Sequence, residues 1–234
     1  MRSYLKQILK PGNQRLKKRY AKTSFSQCGE DIIVNYIFSS RGLLNPSYID
    51  VGANHPYLIN NTAAFYEKGC RGINIEANPS LISNFQKYRP LDVNLNIGIS
   101  DKEGELAFYV MEDNTLSTFS KEESDNLVKN GKKLSRVEQI KLTTISLVLG
   151  HYFDDKFPDF MTIDAEGLDF AILKSINYDL HFPKVICVEA AEYSTSGTGA
   201  RRTFLIDFLV SKGYHEYANT NLNAIMVKKE FWFI

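Results

Sequence analysis

Residues 48–56 read Tyr48-Ile49-Asp50-Val51-Gly52-Ala53-Asn54-His55-Pro56, an apolar run that takes an acid near its end, passes through glycine and stops at proline. A parallel strand whose carboxyl end is approached by a ligand ends in this way. Gly52 lacks a Cβ, so its backbone reaches dihedrals closed to other residues and a ligand can lie directly against the main chain. An ionised Asp50 only accepts hydrogen bonds. It suits a ligand carrying an ammonium or hydroxyls and repels a pyrophosphate.

One strand further on, Gly72-Ile73-Asn74-Ile75 ends at Glu76 and runs into Ala77-Asn78-Pro79. In a βαβ unit, an acid at that distance from the first glycine accepts hydrogen bonds from both ribose hydroxyls. Neither a G-x-G-x-x-G fingerprint nor a Gly-rich Lys-Ser/Thr loop is present. The two strand ends therefore fit an adenosine with a positive tail and no phosphates, as in S-adenosylmethionine. Two other classes compete with this reading. An NAD-type enzyme shares the strand-turn-helix and the second acid but needs glycines that cradle a pyrophosphate; a non-catalytic binding module would keep the sheet without the chemistry.

The pattern recurs. Phe160-Met161-Thr162-Ile163 runs into Asp164-Ala165-Glu166-Gly167, and Val185-Ile186-Cys187-Val188 ends at Glu189. Helical stripes separate these runs: Leu81, Ile82 and Phe85 after Pro79; Leu168, Ile172, Leu173 and Ile176; Phe204, Leu205, Phe208 and Leu209 before Gly213. Asn60-Asn61 caps a short helix through Phe65 and Tyr66. The order is βαβαβ, an interruption, then βαβα and two closing strands, Tyr214 to Ala218 and Ala224 to Val227. This predicts an α/β, Rossmann-like domain with a mostly parallel sheet and helices on both faces. A chain of 234 residues, 44% hydrophobic, is long enough for one such domain with a full core.

The interruption is read as follows. Val93 to Ile99 alternates as one strand, Asp101 to Gly104 is a turn, and Glu105 to Val110 returns beside the first in a hairpin-like pair. Residues 111–136 are a polar excursion, read as a lid or substrate loop with Asn114, Ser117 and Thr118 facing inward. Gln139 to Thr143 is a short strand, and Ile145 to Leu149 a helix before a linker at Phe157-Pro158.

Near the start, Gln27-Cys28-Gly29-Glu30-Asp31 precedes Ile32, Ile33, Ile37 and Phe38 at helical spacing. Acids in a first turn complement the helix dipole, which accounts for Glu30 and Asp31. The alternative is that Gln27 and the two acids reach the loop after Asp50. Residues 1–22 hold eight cations and no acid, so the net charge of +1 leaves seven surplus acids in the rest. Residues 1–24 are read as a flexible, solvated extension, or as a weak contact with an anionic membrane face or a partner, and 25–234 as the single domain. A globally basic nucleic-acid binder is excluded. Cys28, Cys70 and Cys187 show neither zinc nor disulfide spacing and read as buried or half-buried thiols. With no segment long enough to span a bilayer, the expected location is the cytoplasm.

Taken together, SQCGED, IDVGANHP, INIEANP, NIGISDKEGELAFY, LSTFS and TIDAEGLDFAILKSI, in this order from about Phe25 towards the C-terminus, resemble the FkbM family of S-adenosylmethionine-dependent methyltransferases. The resemblance implies a class I methyltransferase fold, with a seven-stranded sheet whose last strand is antiparallel. It also implies methyl transfer to a hydroxyl, with a sugar in polysaccharide or surface-glycan synthesis as acceptor. Carried over by residue, Asp50, Gly52 and Asn54 would hold the methionine part, Glu76 with Ala77 the ribose, and the strand end at Gly98 and Ile99 the adenine. Asp164 and Glu166 would face the acceptor, with Glu189, Ser117 and Thr118 as further substrate contacts. A methyl transfer to oxygen needs a destination for the hydroxyl proton. Asp164 is the first candidate base and His55 the second. A Mg²⁺ shared by Asp164 and Glu189 is the alternative to a metal-free site, which is the reading adopted.

Overall fold

The computed structural model describes residues 20–165, 167–191 and 199–233. The chain runs α1 (Glu30–Ser40), β1 (Tyr48–Val51), α2 (Ala63–Glu67), β2 (Gly72–Ile75), α3 (Pro79–Tyr88), β3 (Val93–Leu95), β4 (Gly98–Ser100) and β5 (Gly104–Met111). A 3-10 turn (Asn114–Leu116) leads to α4 (Lys121–Lys129), β6 (Leu134–Thr144), α5 (Ile145–Tyr152) and β7 (Phe160–Ile163). Then follow α6 (Asp169–Ser175), β8 (Val185–Glu189), α7 (Thr203–Ser211), β9 (Tyr214–Asn219), β10 (Asn223–Lys228) and α8 (Lys229–Trp232).

The main sheet has seven strands in the order β3-β2-β1-β7-β8-β10-β9. Pairing is parallel from β3 through β8, and β10 is antiparallel to both its neighbours. The last strand is thus the reversed one. The order turns back between β1 and β7, so the crevice outside their carboxyl ends is the topological switch where open α/β sheets bind ligands.

The central strands are buried on both faces because alternate residues enter different cores. Ile49, Ile73, Met161 and Ile186 point towards α5, α6 and α7, which contribute Val148, Ile172, Leu173 and Leu209. Tyr48, Phe160, Val185 and Cys187 point the other way, against Val34, Ile37 and Phe38 of α1 and Phe65 of α2. Each such aliphatic or aromatic side chain contributes on the order of 1.5 to 3 kcal/mol on burial. The strand ends that form the crevice are therefore rigidly held.

A second sheet, β4-β6-β5, corrects the reading of the interruption. Residues 93–99 do not form one strand. Asn96 turns its side-chain amide to the carbonyls of Glu76 and Ala77, at 2.8 and 3.1 Å, and the chain leaves the main sheet there. The hairpin-like pair is also overturned: Gly98 and Gly104 both lie opposite Leu142, on the two edges of β6, so β4 and β5 never pair with each other. The reason is β6 itself, whose eleven residues extend well beyond the expected 139–143 and offer both edges. The polar excursion is ordered by the same sheet. Ser120 caps α4 by accepting from the Glu123 N–H, and Thr118 bridges back to Tyr109 of β5.

Asn60, expected as a helix cap, does cap α2, although the residue adjoining the helix is Thr62. The Asn60 carbonyl oxygen accepts from the N–H groups of Thr62 and Ala63. Cys70 and Cys187 are buried, and Cys28 is exposed, which corrects its reading as a half-buried thiol. Most of the basic extension, residues 1–19, lies outside the described residues. Among the described residues, no helix is long and apolar enough to cross a membrane.

Candidate active site

A cavity of about 380 Å³ opens along the carboxyl ends of β2, β1, β7 and β8 and the amino end of the antiparallel β10. Gly52 lines it at φ +80°, where an added Cβ would stand 1.8 Å from the Asp164 carbonyl oxygen. Glycine is required here on both counts. The loop that follows is committed to the protein itself: the N–H groups of Gly52 and Ala53 both donate to the Ile75 carbonyl at 3.0 Å, and that of Asn54 donates to Glu76 Oε2 at 2.7 Å. The N–H groups of Gly52, Ala53 and Asn54 therefore form no outward nest for a pyrophosphate.

Glu76 ends β2 with only 5% of its surface exposed, and lines the cavity. Its Oε1 accepts from the Asn78 N–H at 2.7 Å. Burial pushes its carboxyl up to about 7, against the pull of these two backbone donors. Beyond it, Ala77, Gly98, Ile99, Phe108 and Phe119 form an apolar wall, with the two rings 4.7 Å apart.

Asp50 is placed differently from the expectation. It does not line the cavity; its Oδ2 accepts from Asn60 Nδ2 at 3.0 Å and Thr62 Oγ1 at 2.8 Å. Burial raises its pKa, and Arg89 opposes the rise. Arg89 is itself fully buried, bound to Asp92, the Tyr48 hydroxyl and Asn60 Oδ1. Asp50 thus belongs to a polar network that holds residues 53–60 from behind, whereas Gly52 and Asn54 line the cavity.

Asp164 and Glu189 line the other half, at the ends of β7 and β8. Asp164 is exposed to the cavity yet ringed by protein. Burial, then the neighbouring Glu189 and Asp169 carboxylates, raise its pKa well above the ordinary value, with Arg202 opposing. Burial likewise takes Glu189 up to about 7. Arg202 donates to Glu189 at 3.2 Å and pairs with Asp169 at 3.5 Å. Among the described residues lining the cavity, four are acids, Glu76, Glu123, Asp164 and Glu189, and Arg202 is the one cation. Such a cavity favours a cationic ligand and disfavours a polyanion. None of the described residues form a metal-ligating group of three or more His, Cys, Asp or Glu.

The remaining expected residues separate. Ser117 and Asn114 line the cavity, and Ser117 Oγ also accepts from the Met111 N–H. Thr118 is fully buried and is not part of the wall; its hydroxyl donates to Glu123. His55 lies outside this cavity, beside a neighbouring one of about 310 Å³, and its Nδ1 accepts from the N–H groups of Tyr57 and Leu58. Glu166 lies outside the described residues. Sequence reasoning missed Arg202, Asn61, Asn223 and the Phe108–Phe119 wall. Only the two aromatics carried a signal, as apolar residues flanking a polar excursion.

Among solved structures, the chain is similar to a Burkholderia thailandensis 1,6-didemethyltoxoflavin N1-methyltransferase with bound 1,6-didemethyltoxoflavin and S-adenosylhomocysteine (TM-score 0.42, 11% identity, covering 97% of this chain and 84% of that one). It is also similar to a precorrin-6y C5,15-methyltransferase from Geobacter metallireducens (TM-score 0.36, 17% identity, covering 83% and 86%). No curated protein sequence matches. The family described as the methyltransferase FkbM domain matches residues 50–216, from Asp50 through β1 to β9 and hence through both halves of the cavity. With that match spanning most of its length, the chain belongs to the FkbM family of S-adenosylmethionine-dependent methyltransferases.

Proposed function

We propose that the protein transfers a methyl group from S-adenosylmethionine to a sugar hydroxyl in glycan assembly. The observation that carries this reading is the division of one cavity into two chemically distinct halves. One half has a half-buried glycine loop, a buried carboxyl and an aromatic wall; the other has two carboxyls, Asp164 and Glu189, with raised pKa values.

S-adenosylmethionine supplies a methyl group on a positively charged sulfur. In the first half, Glu76 accepts hydrogen bonds from the ribose hydroxyls, since each of its oxygens keeps a lone pair beyond the one engaged by Asn78 or Asn54. Ala77, Ile99, Phe108 and Phe119 flank the adenine, and Gly52 and Asn54 border the methionine part. The surplus of acids supports a cationic ligand, and the internally bonded N–H groups after β1 speak against NAD.

In the second half, Asp164 takes the proton from the acceptor hydroxyl. A carboxylate whose pKa is raised is a better base, once ionised, than one at its ordinary value, and a positioned base of this kind contributes about 10²- to 10⁴-fold. Arg202 holds Glu189 beside it. Enclosure of both reactants supplies the remaining acceleration through orientation.

The test is calorimetric titration of S-adenosylmethionine, S-adenosylhomocysteine and NAD, followed by transfer of labelled methyl to methyl glycosides of common hexoses and 6-deoxyhexoses. Binding of the first two without NAD, and label on a glycoside oxygen, is the expected result. Label on nitrogen or carbon acceptors alone overturns the sugar assignment.

A further inference from the structure

Glu30 and Asp31 are both fully buried, although they open a surface helix. Their carboxylates hold one short stretch of chain. Asp31 accepts from the Ser24 and Ser26 hydroxyls at 2.6 and 2.9 Å and from the Phe25 N–H at 2.7 Å. Glu30 accepts from the Cys28 N–H at 2.8 Å, from Thr220 Oγ1 at 2.7 Å and from Asn223 Nδ2 at 2.9 Å. Burial raises the Glu30 carboxyl, but these donors outweigh it and hold its pKa below the ordinary value.

Residues 24–29 thus form a strap. One end is fastened over the turn after β1, where the Phe25 carbonyl accepts from the Asn60 N–H and the Phe25 ring lies 5.6 Å from that of Tyr57. The other end is fastened to the turn before β10, whose Asn223 stands opposite Glu189 in the sheet. The strap therefore crosses the half of the cavity that holds Asp164 and Glu189. The side chain it presents to the cavity is Gln27.

The Gln27 carboxamide engages no partner among the described residues. Asn61 and Asn223 line the same half with their amino groups committed elsewhere, Asn61 to Thr162 Oγ1 at 3.0 Å and Asn223 to Glu30, which leaves their carbonyl oxygens to the cavity. These oxygens, with the carboxyls of Asp164 and Glu189, form a wall that accepts hydrogen bonds. Arg202 is tied to two acids and offers no open anion site. The acceptor that fits is rich in O–H donors and carries no charge next to the reacting hydroxyl.

Resting on the O-methyltransferase reading above, we infer that Gln27 is a specificity-determining residue. Its carboxamide binds a hydroxyl neighbouring the one methylated, donating with its amino group and accepting with its oxygen, on a neutral polyhydroxyl acceptor.

The experiment measures methyl transfer by wild type, Gln27→Ala and Gln27→Glu on neutral methyl glycosides, hexuronate glycosides and hexose phosphates, with S-adenosylhomocysteine affinity by calorimetry alongside. Gln27 is exposed and bonded to nothing described, so these variants fold. The expected result is turnover of neutral glycosides in preference to anionic ones. Gln27→Ala then lowers kcat/KM roughly tenfold or more, mainly through KM, while S-adenosylhomocysteine affinity stays within about twofold of wild type. Gln27→Glu, which keeps the acceptor and loses the donor, falls between. Unchanged kcat/KM in Gln27→Ala, an equal loss of S-adenosylhomocysteine affinity, or preference for anionic glycosides overturns the role of Gln27 and leaves the O-methyltransferase reading intact. Normal S-adenosylhomocysteine binding with no glycoside methylated by wild type overturns both.

Discussion

The Asn54 N–H donates to Glu76 Oε2 across 2.7 Å, so the carboxyl proposed to receive a ribose also fixes the loop proposed to border the methionine. On the proposed reading, one side chain couples the two halves of a single ligand. Glu76→Ala removes a ligand contact and releases Asn54 together. S-adenosylmethionine affinity is expected to fall by about 1 to 3 kcal/mol, the range for charged hydrogen bonds. Calorimetry on Glu76→Ala beside wild type checks this, and equal affinities would refute the ribose assignment.

The same carboxyl makes stability depend on pH. Its folded pKa of about 7 lies above the 4.5 of an unconstrained glutamate, so the folded state holds the proton more tightly than the unfolded chain. Its contribution is fully present below 4.5 and lost as pH rises through 7, up to about 3 kcal/mol in all. The ligand-free protein should therefore gain Tm from pH 8 to pH 5 by more than Glu76→Gln does. Ligand affinity should run the opposite way, because the carboxylate is the form that accepts from hydroxyls. Calorimetry in buffers of different ionisation enthalpy should detect proton release on binding at pH 6.5.

Gly52 and Gly29 separate backbone strain from steric exclusion. Both are left-handed, at φ +80° and +87°, but a Cβ on Gly29 meets nothing within 4 Å, whereas on Gly52 it strikes the Asp164 carbonyl. Gly29→Ala should cost only the conformational penalty, about 1 to 2 kcal/mol. Gly52→Ala must also push β1 from β7 and should cost well over about 3 kcal/mol in urea unfolding, or prevent folding. Equal costs would mean that the close approach of the two strand ends is not held in solution.

The strand ends were legible because each joins a short apolar run to an acid, with a glycine, alanine or asparagine following, and such runs have few alternatives in a βαβ order. Asp50 shows the limit. An acid near a strand end points into the crevice or behind it according to a partner, and here Asn60, Thr62 and the Arg89 cation draw it behind. Glu30 and Asp31 fit a helix dipole so well that burial left no trace in their spacing. The pairing of β5 depended on β6 some thirty residues later, a non-local choice that alternation alone does not encode. Arg202 stands outside every motif, and only the fold brings it to Glu189.

Asp164 gives the sharpest test of mechanism. It stands at the end of β7, open to the cavity, and burial, then the Glu189 and Asp169 carboxylates, raise its pKa well above the ordinary value. If it takes the acceptor proton, kcat/KM should rise with pH as Asp164 ionises and then level off. Asp164→Asn keeps the shape and removes the base. Its kcat should fall by about 10²- to 10⁴-fold, with S-adenosylhomocysteine affinity little changed. The rising limb of its pH profile should also disappear. Were the residual activity of Asp164→Asn to keep that limb, the titrating group would lie elsewhere. Glu189, raised to about 7 and held by Arg202 in the same half of the cavity, would then be the base to substitute next.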